Sequence, residues 1–246
     1  MTAFIQTTAL ITGASRGLGR EIARLMARRG VRLILTARGI EALEDAAQEL
    51  REHTQVLALP GDVADEDHAR RLVTLGQKQF GHIDILVNNA SSIGPSPMPR
   101  LEDLPLADLE AVYRVNVIAP LHLIQLVLPG MQARGQGVII NVTSDAGVEA
   151  YPGWGGYGSS KAALEHLSRV LAAELAGSGI RIYTVDPGDM NTQMHREAEP
   201  GEDLNHLPGP EVSAPAIVDL IEHESAPFRR VLALAPASVA PTGGRG

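Results

Sequence analysis

The chain contains no cysteine, and that absence alone removes disulfides, thiolate nucleophiles and thiolate-ligated metals. Lysine is nearly as scarce. Of 21 basic residues, only Lys78 and Lys161 are lysines. Acidic residues outnumber basic ones by 29 to 21, and the formal net charge of -8 excludes a surface that holds nucleic acid or anionic lipid by bulk electrostatics. Aromatic residues make up 3% of the chain, so any one of them near a candidate site stands out. No basic segment precedes the apolar run at the N-terminus, and no uncharged stretch reads as long enough to span a bilayer. The expected compartment is the cytoplasm.

What is present is a chain of 246 residues, 44% hydrophobic, with a mean hydropathy of +0.01. That is material for one large α/β domain. Short β-branched apolar runs alternate with longer amphipathic segments. Strands are expected at 7–12, 31–37, 55–59, 83–88, 137–143, 180–186 and 230–235, and helices at 18–29, 41–52, 66–79, 107–131, 154–176 and 211–223. Near-continuous hydrophobicity suits strands covered on both faces, and right-handed crossovers then give a doubly wound parallel sheet of about seven strands. A single domain is expected over 1–236, with 188–210 as a substrate lid and 237–246 as a loose tail. In such a sheet the ligand crevice lies beyond the carboxyl ends of the strands.

The first of those ends carries Thr12-Gly13-Ala14-Ser15-Arg16-Gly17-Leu18-Gly19 and runs into a helix. Glycines let the backbone approach a pyrophosphate, and the helix N-terminus offers unpaired N–H groups and a positive dipole end. The spacing differs from G-x-G-x-x-G, and a purely structural turn is the alternative. At the end of the second strand, where an acidic residue would grip an NAD ribose, the sequence has Arg38. A guanidinium there suits the 2′-phosphate of NADP(H), with Arg16 approaching from the Gly-rich turn. Two solvated surface arginines are the alternative.

Tyr157 and Lys161 are spaced i, i+4 at the start of a helix, so they share a face. An ammonium beside a phenol favours phenolate and is expected to lower a pKa that is about 10 unperturbed. In an arginine-rich chain, a lysine at that position reads as chosen for its compact charge. The fifth strand delivers Ser144 to the same edge, where it serves either as a hydroxyl for the reacting oxygen or as an ordinary turn serine. Asn116 lies mid-helix, four residues before Pro120. It marks either a proline kink or a group that holds a proton-carrying water.

Taken in order, Thr12-Gly-x-x-x-Gly-x-Gly19, Asp62-Val63, Asn88-Asn89-Ala90, Asn116, Ser144, Tyr157-x-x-x-Lys161 and Pro187-Gly188 make the chain resemble the short-chain dehydrogenase/reductase family, of Rossmann fold, over nearly its whole length. The resemblance implies that Asp62 and Val63 touch adenine and that Asn89 and Ala90 border the adenosine ribose. It also implies that Lys161 bonds the nicotinamide ribose, that Pro187, Gly188 and Thr192 hold the nicotinamide, and that copies pair into a homodimer or homotetramer through 107–131 and 154–176. Ser91 departs from the glycine usual after Asn-Asn-Ala. The expected activity is NADP(H)-dependent carbonyl reduction, with Tyr157 exchanging the proton. A non-catalytic nucleotide sensor and an NAD-linked alcohol dehydrogenase are the alternatives.

Loops at 91–98, 145–154 and after Gly188 should close the substrate pocket, with Ser91, Ile93, Met98, Ser144, Val148, Trp154, Met190 and Met194 as its lining. Methionines also serve as gap fillers. His195 and His206 fit no metal-ligand spacing, so no metal is expected.

Overall fold

The computed structural model describes residues 6–233. Seven parallel strands form one sheet in the order β3-β2-β1-β4-β5-β6-β7. They are β1 (Thr8–Thr12), β2 (Arg32–Thr36), β3 (Val56–Ala58), β4 (Ile85–Asn88), β5 (Gly137–Val142), β6 (Ile180–Asp186) and β7 (Phe228–Leu232). Alternate residues face opposite sides, so each strand feeds two cores. Ile11, Leu33, Leu35, Ile140 and Val185 pack on one side, under α1 (Gly17–Arg28), α2 (Ile40–Arg51) and α8 (Pro210–His223). Leu10, Ile34, Ile139 and Ile182 pack on the other, under α3 (Glu66–Phe80) and α5 (Ala119–Arg134). Burial on both faces explains why the strands read as continuous apolar runs. The chain steps outward from β1 to β3 and then returns to lay β4 against β1, and this switch point opens the crevice.

Helix boundaries have local causes. Asp65 caps α3 by accepting from the N–H groups of Asp67 and His68, and Gly81 ends it at a φ of 86°. The helix expected over 107–131 is instead α4 (Leu106–Tyr113), a π-helical turn (Arg114–Ile118) and α5. The break therefore begins upstream of Pro120, at the widened turn that holds Asn116. This run, Leu106–Arg134, is long and apolar enough by length and composition to cross a membrane, which corrects the reading that no stretch was. The fold uses it as a core helix: Leu123, Ile124, Val127 and Met131 are buried against the sheet.

Within 188–210 the structure adds a short helix that the sequence pattern does not signal, α7 (Gln193–Ala198), capped by the Thr192 hydroxyl. The last strand begins and ends earlier than expected, and 234–235, like the tail 237–246, lies outside the described residues.

Candidate active site

At the outer end of the crevice the site is made of backbone. The buried Thr12 hydroxyl accepts from the N–H groups of Asn89 and Ala90, both at 3.0 Å, while the Asn89 amide donates to the carbonyls of Thr12 (2.9 Å) and Gly13 (3.3 Å). This stitching draws the ends of β1 and β4 so close that only glycine fits between them. A Cβ on Gly13 would lie 2.8 Å from the Asn89 amide nitrogen, and one on Gly19 only 2.5 Å from it and from the Gly13 carbonyl. Helix α1 starts at Gly17 with no side-chain cap, which leaves its first N–H groups turned to the cleft. A glycine cradle at an uncapped helix N-terminus fits a pyrophosphate. Ser15, Leu18, Arg38, Asp62, Val63 and Ala90 line the same cleft.

Arg38 is exposed at its mouth, and among the described residues no carboxylate pairs with it. Arg16 is also exposed, but its guanidinium donates to Gln193 on α7 and thereby links the Gly-rich turn to the segment 188–210. Asp62 forms a local turn by accepting from Ala64 N–H at 2.9 Å, and the helix cap three residues on is Asp65.

The inner end of the cleft is made of side chains. Helix α6 (Gly155–Glu174) carries Tyr157 and Lys161, both buried. The Lys161 ammonium donates to the Val142 carbonyl at 2.9 Å and stands 5.4 Å from the Tyr157 ring centroid. Val142 is the last residue of β5, so one strand end fixes the lysine and, two residues on, presents Ser144.

The electrostatics differ from the sequence expectation. Burial pushes Tyr157 up to about 12 despite hydrogen bonding to Ser144 and Ser91, and the carboxylates of Asp186 and Asp145 push the same way. Burial also brings Lys161 down to about 8. The expected lowering of the phenol is therefore absent: desolvation of the phenolate outweighs the hydrogen bonds with Ser144 and Ser91.

Asn116 is a buried cross-brace. Its side-chain oxygen accepts from Ser92 N–H (2.8 Å) and the Ser91 hydroxyl (3.0 Å), and its amide donates to the Ser92 carbonyl (2.8 Å) and the Ser160 hydroxyl (2.9 Å). Its side chain is thus committed to protein partners and ties the loop after β4 to α6.

A profile of the short chain dehydrogenase family matches residues 7–203. The chain belongs to that family. As a short-chain dehydrogenase it is an oxidoreductase of alcohol and ketone groups. It is 39% identical over 191 residues to 2-(R)-hydroxypropyl-CoM dehydrogenase of Xanthobacter autotrophicus, an alignment that covers 76% of this chain and 75% of that one. Among solved structures it resembles a 7α-hydroxysteroid dehydrogenase complexed with NADH, with 31% identity, a TM-score of 0.80 and 92% of each chain covered. It also resembles a metagenomic short-chain oxidoreductase in complex with NADP, with 28% identity, a TM-score of 0.79 and coverage of 92% and 96%.

This dehydrogenase gathers Pro187, Gly188 and Thr192 at the inner end of the cleft, with Ser91, Ile93, Trp154, Met190 and Met194 on its walls. Two expected pocket residues are elsewhere. Val148 is 62% exposed, carried outward by the 3-10 turn at Asp145–Gly147. Met98 does not line the cleft; it packs on the apolar cluster of Ile93, Ala146, Tyr157 and Ala198. His195 borders the cleft beside Glu199 at 3.4 Å, and the exposed His206 ring bonds the Asp203 carbonyl.

Sequence reasoning placed Asp145 and Tyr151 in the closing loop 145–154 but gave neither a role of its own. Asp145 accepts from the Ser144 hydroxyl at 2.9 Å and from the Tyr151 hydroxyl at 2.8 Å; burial pushes its carboxyl up, but these bonds, with the Ala146 N–H, hold it below the usual range. Its position directly after Ser144, at a strand's carboxyl edge, was the available signal.

Proposed function

We propose that the protein is an NADP(H)-dependent carbonyl reductase acting on small ketones or aldehydes and, in reverse, on secondary alcohols. One observation carries this reading. Tyr157, Lys161 and Ser144 meet at the inner end of a cleft whose outer end is a glycine cradle at an uncapped helix N-terminus, with Arg38 beyond it.

The residues present fit the cofactor. Gly13, Gly17, Gly19 and the start of α1 would hold the pyrophosphate, Arg38 and Arg16 the 2′-phosphate, Asp62 and Val63 the adenine, Asn89 and Ala90 its ribose, and Pro187, Gly188 and Thr192 the nicotinamide. When bound, the cofactor supplies the hydride to the carbonyl carbon. Tyr157 gives its phenolic proton to the carbonyl oxygen. A phenol pushed up to about 12 is protonated throughout the neutral range, which is the form a donor needs. Lys161, brought down to about 8, titrates near working pH and returns the proton to Tyr157. Asn116, in the π-helical turn and tied to α6 through Ser160, would hold with its backbone carbonyl a water leading away from Lys161. The Ser144 hydroxyl turns from Asp145 to the reacting oxygen and steadies its developing charge.

Residues 188–210 act as the substrate lid over this end of the domain. Ile118 and Val170, 52% and 42% exposed on the outer faces of the two long helical segments, support pairing into a homodimer or homotetramer.

The test is a panel of carbonyl compounds with NADPH and NADH as alternatives. The wild type should use NADPH with a kcat/KM at least about tenfold higher, a difference of ~1.4 kcal/mol, and Arg38→Asp should reverse the order. Equal use of both cofactors by the wild type would overturn the NADP(H) assignment.

A further inference from the structure

Two carboxylates buried beneath the reacting end have no part in the steps above. The side chains of Glu165 and Asp186 are 5% and 6% exposed, and Arg230 of β7 serves both. Its Nε lies 3.1 and 3.2 Å from the two Glu165 oxygens, and its terminal nitrogen 3.7 Å from Asp186 Oδ2. Each carboxylate also grips a segment of the site. Glu165 sits one helical turn beyond Lys161 on α6 and accepts from the Thr143 hydroxyl at 2.8 Å, and Thr143 immediately precedes Ser144. Asp186 ends β6 and accepts from Gly188 N–H at 2.9 Å, which shapes the Asp186-Pro187-Gly188 turn. Arg169 touches Glu165 from the solvent side at 3.6 Å, but it is half exposed and does not reach Asp186.

We propose that Arg230 is a positioning residue for the reaction: its guanidinium couples α6, the end of β5 and the turn after β6. It thereby sets the Gly188 turn and Ser144 in register with Tyr157 and Lys161. The fork geometry of arginine suits this task, since it meets two carboxylates in fixed directions that a point charge does not specify. The outer end of the cleft, built on β1 and β4, is untouched by the clamp. Losing Arg230 should therefore disturb the geometry of the reacting atoms and leave cofactor affinity nearly unchanged. Displacements of about 1 Å between reacting groups reduce rates by as much as ~100-fold.

The proposal rests on the oxidoreductase reading, and its test has two readouts, one needing turnover and one not. With the substrate found in the carbonyl panel, Arg230→Met should lower kcat by about 10- to 100-fold, change the cofactor KM by less than about threefold, and enlarge the isotope effect of C4-deuterated cofactor. Arg230→Lys should recover part of the loss. In a binding titration, the nicotinamide emission of bound NADPH should fall toward that of free NADPH while affinity holds. If Arg230→Met fails to fold, the charge-free Glu165→Gln/Asp186→Asn/Arg230→Met protein replaces it, with the same expectations.

A folded variant with wild-type kcat and emission overturns the clamp, as does a variant whose only change is a lower Tm. If the wild type binds NADPH but reduces nothing, the carbonyl-reductase reading fails, and the emission comparison still decides the clamp. A wild type that binds neither NADPH nor NADH overturns both.

Discussion

The two ends of the cleft are built on opposite terms. The outer end works by the absence of side chains: Gly13 and Gly19 leave room that a single Cβ would fill, and the uncapped start of α1 turns backbone N–H groups to the cleft. The inner end works by their presence, and it places titratable groups where water would normally be required. Tyr157 and Lys161 are both buried, and each is pushed toward its neutral form. The outer end is therefore a stable, geometrically strict frame, while the inner end stores unfavourable burial for chemistry.

The largest predicted effect on stability and cofactor affinity together breaks the frame. Gly19→Ala puts a methyl group 2.5 Å from the Gly13 carbonyl, a backbone atom that cannot swing aside. Stability should fall by about 1–3 kcal/mol in denaturant melts and NADPH affinity by at least about tenfold in titrations. Retention of both would mean that the turn is looser than the geometry requires.

The next variant sharpens the contrast by improving stability while destroying function. In the unfolded chain Lys161 keeps its proton up to about pH 10.5, whereas in the fold it does so only up to about 8. Folding is opposed by about 3 kcal/mol below pH 8, and this fades as pH rises from 8 to 10.5. Lys161→Met should therefore lose about 100-fold or more in turnover and yet melt higher than the wild type at pH 7, with the gap closing toward pH 10.5. A variant no more stable at pH 7 would contradict the burial argument. At the small end, Val148→Ala should move stability by no more than about 0.5 kcal/mol and leave kcat alone, because that side chain is 62% exposed and faces away from the cleft.

The sequence announced the strict end more completely than the chemical one, and for physical reasons. Glycine spacing after a strand has few uses, so Gly13, Gly17 and Gly19 were legible as a tight strand-to-helix turn, and near-continuous apolar runs placed the strands to within a few residues. The i, i+4 spacing of Tyr157 and Lys161 gave their proximity but not their burial, and burial decides the direction in which the phenol shifts. Loop residues were the least legible. Composition says which side chains a loop owns, not which way a 3-10 turn will throw them, so Val148 was placed in the pocket lining and Asp145, in the same loop, was given no role. The π-turn at Asn116 and the six-residue α7 are too short to impose a period of their own.

The central claim is that Tyr157 is the proton donor of a nicotinamide-dependent reduction, and Tyr157→Phe tests it most directly. The variant keeps the ring that packs against Trp154, at a centroid distance of 5.9 Å, and removes only the hydroxyl. NADPH binding should stay within about threefold of wild type while turnover drops by roughly 100- to 10,000-fold, the range a positioned acid contributes. Undiminished turnover by a folded, NADPH-binding Tyr157→Phe protein would contradict the account.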